Sequence, residues 1–347
     1  MRNQYHLITT CLAKTFRLPQ AIILLYLFQC FNYSKSSLCN LVLLWYYIFM
    51  ISSSDLFLGV DGGGSRCRAR IRNAAGDILG EAVGGPSNIY QDFEAALATI
   101  LKTTGEAAAK AGVKIDKLHA GLGIAGLVSS DGGKALHARL PFASAVVDSD
   151  AVAACLGAFA GGDGGIVIAG TGSIGLALVE GARHMVGGWG FALGDHGSGA
   201  WIGHHAVRRA ALVIDGLLQP TPLIERVMAK AGSNRVTLSR WSENAAPRDF
   251  AQFAPAVFEC AAKGDVIAMT IVIEGSSAIS NLGRALLARG ARRLCLLGGL
   301  SGVYPQYLDA DMRRVLAAPA ADAVDGAMMM ARRAKGLSAL STKAGGA

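Results

Sequence analysis

From residue 56 onward, apolar and polar positions fall into short blocks broken by glycines. Leu56-Phe-Leu-Gly-Val runs into Asp61-Gly-Gly-Gly-Ser65, residues 66–71 alternate arginine with Cys67, Ala69 and Ile71, and a turn follows at Asn73-Ala-Ala-Gly-Asp77. Period-two alternation after a glycine cluster predicts strand, tight turn, strand. The same arrangement returns 108 residues later, with Ala169 where Asp61 stood: Gly165-Ile-Val-Ile-Ala169, Gly170-Thr-Gly-Ser173, an apolar stretch over 174–178, and a turn at Glu180-Gly-Ala182.

Helical spacing of alanine and leucine follows each hairpin, over 93–111 with Gly112 as its stop and over 198–212. Strands are predicted at 118–124, 145–147 and 294–297, and helices at 150–159, at 266–289 with Gly290 at its end, and at 323–333. The expected fold is therefore α/β and made of two similar halves. One lobe is assigned to 55–162 and a second to 163–335, with the last helix able to pack back on the first lobe and 336–347 as a tail.

Composition adds a seam near residue 50. Residues 1–49 contain no Gly, Asp or Glu, yet hold 10 of the 24 aromatic residues and 3 of the 7 cysteines. Two apolar runs at 21–31 and 41–51 fall short of the ~18–20 residues that a membrane span needs. No small-residue cleavage site follows the basic residues Arg2, Lys14 and Arg17. Residues 1–54 are read as a hydrophobic extension from a start assigned too far upstream, or as unstructured, with a membrane anchor or signal as the alternative.

Half of the formal charge of +8 lies in that extension, and the remaining basic residues form only short pairs such as Arg208-Arg209 and Arg292-Arg293. Such scattered charge argues against a nucleic-acid binder. The remaining cysteines, Cys67, Cys155, Cys260 and Cys295, stand singly, so neither a zinc site nor a disulfide framework is signalled. They read as buried small hydrophobes of a reducing cytoplasm.

The glycine clusters suggest phosphate chemistry. A dinucleotide fingerprint would lead from strand into helix, whereas the residues after Gly64 alternate like a strand. A Walker loop is excluded because the one Gly-Lys pair, Gly133-Lys134, is followed by Ala135. What remains is a hairpin whose glycines let backbone N–H groups approach an anion. Two such hairpins across a cleft could hold one polyphosphate from both sides.

Asp61-Gly-Gly-Gly-Ser65, Ala169-Gly-Thr-Gly-Ser173 and Leu297-Gly-Gly-Leu-Ser301 resemble the two phosphate motifs and the adenosine motif of the actin and hexokinase superfamily. Within it the chain resembles the bacterial glucosamine kinases and N-acetylglucosamine kinases of the BadF/BadG type, over about 57–333. The likeness includes Gly85-Pro-Ser-Asn88, Gly187-Gly-Trp-Gly190 and Gly194-Asp-His-Gly-Ser198. It implies two ribonuclease-H-like lobes, an actin-like ATPase fold, around a central cleft that binds ATP and Mg2+. It also implies a phosphotransferase acting on the 6-hydroxyl of glucosamine or, alternatively, N-acetylglucosamine, in the cytoplasm, with a homodimer compatible.

The resemblance assigns ATP contacts to Gly62, Gly63, Gly64 and Ser65, to Gly170, Thr171, Gly172 and Ser173, and to Gly298, Gly299 and Ser301. Asp61 would orient magnesium through water; a plain turn-forming Asp is the other reading. Asp150, at the start of a helix where its carboxylate could serve as an N-cap, would accept the proton of the sugar hydroxyl. Asp148 competes for this role, since side chains two apart on a strand share a face. Sugar contacts fall to Asn88, Ala125, Gly126, Asp150, Gly188, Trp189 and Asp195, with Trp189 equally readable as core. Ala125 and Gly126 stand where some relatives place Ser, and His196 where eukaryotic relatives carry Glu. His204 and His205 read as surface or packing residues.

Two rivals come from other classes. A reductive-activator ATPase shares the glycine turns but needs paired cysteines for an iron–sulfur cluster, and Cys155 has no near partner in sequence. A sugar or nucleotide sensor would have little use for a carboxylate at Asp150.

Overall fold

The computed structural model describes residues 55–127 and 130–337. The extension assigned to 1–54, and the tail beyond 337, lie outside the described residues. The turn Arg72–Asp77 groups apart with Leu56, while Phe57–Ile71 and the chain from Ile78 onward form one unit. Within that turn Asp77 N–H donates to Asn73 Oδ1 at 2.9 Å and Gly76 takes a positive φ of 94°.

The first sheet has five strands in the order β3-β2-β1-β4-β5. These are β1 (Leu56–Gly62), β2 (Cys67–Asn73), β3 (Ile78–Gly84), β4 (Leu118–Ile124) and β5 (Ser144–Ser149). Helix α1 (Phe93–Ala111) has Asp92 as N-cap, accepting from Ala95 N–H, and ends where Gly112 turns left-handed at φ 67°. Helix α2 spans Ser130–His137, and α3 (Asp150–Ala158) leaves the end of β5 directly. The pairing of β4 with β5 is parallel, with Ile124 opposite Ser149. The ends of β4 and β5 therefore lie side by side, and β1 is the other neighbour of β4.

The second sheet has the order β8-β7-β6-β9, built from β6 (Gly164–Ala169), β7 (Ser173–Val179), β8 (Ala182–Gly187) and β9 (Leu294–Leu297). β6 and β7 are antiparallel with Ala169 opposite Ser173, so both glycine clusters sit at the tips of hairpins. Helix α4 (Gly199–Ile214) follows this hairpin and β8. After it come α5 (Pro222–Ala231), α6 (Arg235–Asn244), α7 (Pro247–Ala251) and α8 (Ala254–Ala262). The long α9 (Val266–Leu287), the short α10 (Ala310–Val315) and α11 (Ala323–Ala334) are the last of the described elements.

Helix α9 is long and apolar enough to cross a membrane by length and composition. It packs instead as a core helix, its Ile271, Val272, Ile279 and Leu286 buried together with Val167 of β6 and Leu294 of β9. The other face of this sheet meets α3 and α11: Ile166, Leu176 and Cys295 cluster with Val152, Leu156, Ala327 and Met330. Helix α3 thus belongs by sequence to the first half and by packing to both. Burial of this kind contributes about 1.5–3 kcal/mol per large apolar side chain.

Helix α11 lies against the first sheet. A Cβ at Gly121 of β4 would collide with the carbonyl oxygen of Ala327, and one at Gly59 of β1 with that of Val324. These strands carry glycine because a helix backbone occupies the space of their side chains. Among the described residues the four cysteines are free and buried. Burial pushes the Cys155 thiol up to about 12, as expected of a packed small hydrophobe.

Candidate active site

The first glycine turn is tight, with Gly63 N–H donating to Arg66 O at 2.9 Å. It is fastened to its neighbours by Ala125 N–H on Gly62 O at 2.7 Å and Ser87 N–H on Gly63 O at 3.0 Å. Ile89 N–H in turn reaches Ala125 O at 3.2 Å. Asp61, Asn88, Ala125 and Gly126 are therefore brought to one end of the first sheet. Asn88 Oδ1 accepts from Tyr90 N–H at 3.0 Å, which fixes the orientation of the amide and leaves its two N–H donors and a second lone pair on Oδ1.

Asp150 occupies the same end. The N-cap of α3 is Ser149, whose hydroxyl accepts from Val152 N–H; the N-cap position proposed for Asp150 therefore belongs to its neighbour. Asp150 is the first helical residue, and its Oδ1 accepts from Ala151 N–H at 2.8 Å. Burial holds its carboxyl above the usual carboxylate range, and the negative charge of nearby Asp61 adds to this. It has no ion-pair partner among the described residues. Asp148 differs: Arg183 of β8 donates to its Oδ2 at 2.5 Å and Ser149 N–H to its Oδ1 at 2.6 Å. Both oxygens of Asp148 are thus engaged, one by a guanidinium, whereas Asp150 carries no cation among the described residues, which distinguishes two residues that strand geometry leaves equal.

The second turn closes through Gly170 N–H on Gly172 O at 2.9 Å, and Gly199 N–H and Ala200 N–H cap it from the start of α4. Ser173 departs from its expected phosphate role. It is nearly fully buried, its N–H donates to Asp195 Oδ1 at 3.2 Å and its hydroxyl to His196 O at 2.9 Å, so both donors are spent inside the lobe. Gly63 N–H and Gly170 N–H are likewise engaged within their turns. The outward parts of the two hairpins are Gly64 and Ser65 on one side and Thr171 and Gly172 on the other. Gly298 takes φ +92° with its Cα against the carbonyl of Ala169, and Leu300 N–H donates to that carbonyl at 3.0 Å. The turn 298–301 therefore abuts the second hairpin, and a side chain at Gly298 would strike its backbone.

Among the described residues, Asp195 is one of three non-glycine residues with positive φ, at 55°. Its Oδ1 accepts from Ser173 N–H, which orients the carboxylate and leaves acceptor capacity on both oxygens. Burial raises its carboxyl above the usual range. Trp189 is 74% exposed and Leu193 79%, so Trp189 is not core. Both line a cavity of about 430 Å³ with Gly187, Asp195, His196 and Asn281. This volume suits a small ligand. The segment is anchored below by Tyr304, whose buried hydroxyl donates to Gly197 O at 2.5 Å. Tyr304→Phe would leave that carbonyl unpaired; an unfolding free energy lower by about 1–2 kcal/mol is expected from urea denaturation.

His204 and His205 serve packing. His205 stacks on Trp201 with ring centroids 3.7 Å apart, and burial with Arg209 close by pushes its pKa down to about 4. Arginines 68 and 70 of β2, and Asp322 at the N-cap of α11, were not singled out by sequence, although they reach the site. Arg68 donates to Asp61 Oδ2 through Nη2 at 2.7 Å and Nε at 3.1 Å. Arginines at the alternate positions 66, 68 and 70, directly after a glycine turn, are the sequence signal for this pairing. Ala251 and Ala254 were also missed; both lie behind Gly199, which caps the second turn.

Residues 58–331 match the BadF/BadG/BcrA/BcrD ATPase family. The chain is 37% identical over 281 residues to the glucosamine kinase GspK of Vibrio cholerae, covering 80% of this chain and 96% of that one. It is 33% identical over 124 residues to the N-acetyl-D-glucosamine kinase of Dictyostelium discoideum, 34% of this chain and 39% of that one. A crystal structure from Chromobacterium violaceum, provisionally named an N-acetylglucosamine kinase, superposes with a TM-score of 0.75 at 32% identity, over 80% of this chain and 99% of that one. Two glycine hairpins, a third glycine turn packed on the second of them and a match running over most of the length place this chain in the BadF/BadG/BcrA/BcrD ATPase family.

Proposed function

We propose that this protein is an ATP-dependent kinase that transfers the γ-phosphoryl group to the 6-hydroxyl of glucosamine. The observation that carries the reading is Asp150: a half-buried carboxylate beside Asp61, without an ion-pair partner among the described residues, at the strand ends that also hold the first glycine turn. The near full-length relationship to a glucosamine kinase supports the choice of substrate.

In this reading Asp150 accepts the proton of the sugar hydroxyl as that oxygen bonds to the γ-phosphorus and the bond to the bridging oxygen of ADP breaks. Proton removal need not precede the transition state, because phosphoryl transfer depends chiefly on alignment and charge stabilisation. The backbone N–H groups of Gly64, Ser65, Thr171 and Gly172 face the phosphates, and Gly298, Gly299 and Ser301 face the adenosine. Asn88 donates to a ring hydroxyl and the carboxylate of Asp195 accepts from another. Ala125, Gly126 and Gly188 offer backbone to the sugar.

Asp61 suits magnesium. Its donors are hard oxygens, and among the described residues no group of three or more His, Cys, Asp or Glu side chains could hold a metal by itself. Magnesium keeps much of its water and takes its remaining ligands from one or two carboxylates and the phosphates. When bound, it would neutralise charge developing on the transferred group.

A second reading, N-acetylglucosamine, is favoured by one feature: the exposed indole of Trp189 beside Leu193 presents an apolar surface suited to an acetyl methyl group. A coupled ADP-release assay with glucosamine, N-acetylglucosamine and glucose, on the full chain and on protein begun at Met50, tests both. The highest kcat/KM is expected with glucosamine. No sugar-stimulated ADP release would sink the kinase reading and leave the sensor reading standing.

A further inference from the structure

We propose that Arg68 is a positioning residue which holds the Asp61 carboxylate when no metal is present and passes to Asp322 when one arrives. This couples metal loading to the segment where the chain crosses from the second sheet to the first. The inference rests on the reading of Asp61 as the residue that orients the metal–nucleotide.

One guanidinium serves both carboxylates. Nε and Nη2 of Arg68 share Asp61 Oδ2, and Nη1 reaches Asp322 Oδ2 at 3.3 Å. The first contact is short and doubled, the second long and single, so the arginine rests mainly on Asp61. Asp322 is well placed to take more of it. It is the N-cap of α11, accepting from Asp325 N–H at 3.0 Å, and it is steadied by Arg70, which donates to both of its oxygens at 3.0 and 3.1 Å. Arg70 also pairs with Asp325 and Glu81, so it is saturated and stays where it is.

The position of Asp322 in the chain gives the contact its meaning. Ala317 N–H bonds Leu294 O of β9, and Ala320 and Ala321 N–H bond Ala158 O and Gly157 O at the end of α3. Residues 317–322 are thus the passage from the second sheet to α11. Any displacement of this passage moves Asp322 relative to Arg68, and so changes how firmly Asp61 is held.

Charge repulsion favours the hand-over. A divalent cation drawn to Asp61 meets a guanidinium already on one of its oxygens, and two cations on one carboxylate repel. Moving toward Asp322, about one hydrogen-bond length away, relieves that repulsion without leaving the arginine unpaired.

The test is calorimetric titration of Mg2+ into the ADP-saturated full chain, without sugar. With Arg68→Met the competitor is gone, and half-saturating Mg2+ is expected to fall by roughly threefold, the scale of a partly exposed ion pair. With Asp322→Asn the cap is retained, because Asn caps as well as Asp. The alternative resting place is weakened, however, so half-saturating Mg2+ is expected to rise. A merely structural arginine would give lower melting temperatures without shifts of opposite sign. Wild-type binding with the two variants unshifted, or shifted the same way, overturns the proposal alone. Absence of Mg2+-dependent ADP binding in the wild type overturns the nucleotide reading with it. If Arg68→Met fails to fold, the direction of the Asp322→Asn shift still decides.

Discussion

Asp150→Asn is expected to reduce kcat by roughly 10²–10⁴-fold, the range attributed to a positioned general base, while nucleotide binding changes little. The substitution keeps the size and the bond from Ala151 N–H but removes the proton acceptor. In the wild type, turnover should fall with acid at a pH above the usual carboxylate range, since burial and the Asp61 charge both hold the Asp150 carboxyl high. Asp61→Asn would move that limb downward in pH while costing activity of its own.

The same shift has a stability consequence of opposite sign. A carboxyl whose folded pKa lies above its unfolded one destabilises the fold as pH rises through the unfolded value toward the folded value, and continues to do so above it. Asp150→Asn should therefore raise the melting temperature at neutral pH, with the gain vanishing in acid where both forms are neutral. Asp148→Asn should show neither effect on this scale; it loses only an ion pair with Arg183. Rate profiles and thermal melts of both variants across pH check these outcomes, and equal kcat losses in the two would remove the distinction drawn between them.

Gly121→Val is expected to cost about 3 kcal/mol of stability, the upper end for overpacking a well-filled interior. The added carbons would meet the backbone of α11 at Ala327, which cannot rotate away as a side chain could. Chemical denaturation would show the loss. Limited proteolysis should show cleavage around 317–322, because the helix that must retreat is the one this passage feeds. Undiminished stability would mean that α11 does not bear on β4.

Much of this architecture was legible because the signals were local. The strands at 118–124 and 294–297 and the helix at 93–111 have the predicted bounds, since period and stop signals lie within each segment. The second hairpin was legible by repetition of the first. Contacts between distant segments were not. That Ser173 turns inward depends on Asp195 and His196 more than twenty positions away, and that Asp148 is paired depends on Arg183 in another sheet. The N-cap of α3 was misplaced by one residue, a precision that sequence rarely supports when Ser and Asp are adjacent. The arginines of β2 were visible as a pattern, but their partner Asp322 is some 250 residues away.

The return of α11 has a consequence for how the chain is made. Bare glycine patches on β1 and β4 await a helix that lies about 200 residues or more further along the chain, so the first sheet leaves the ribosome with an uncovered strip and cannot settle until that helix has followed it. Truncation within 323–334 should therefore damage the half of the molecule encoded first, and a nascent chain stalled before this helix should present that strip to chaperones.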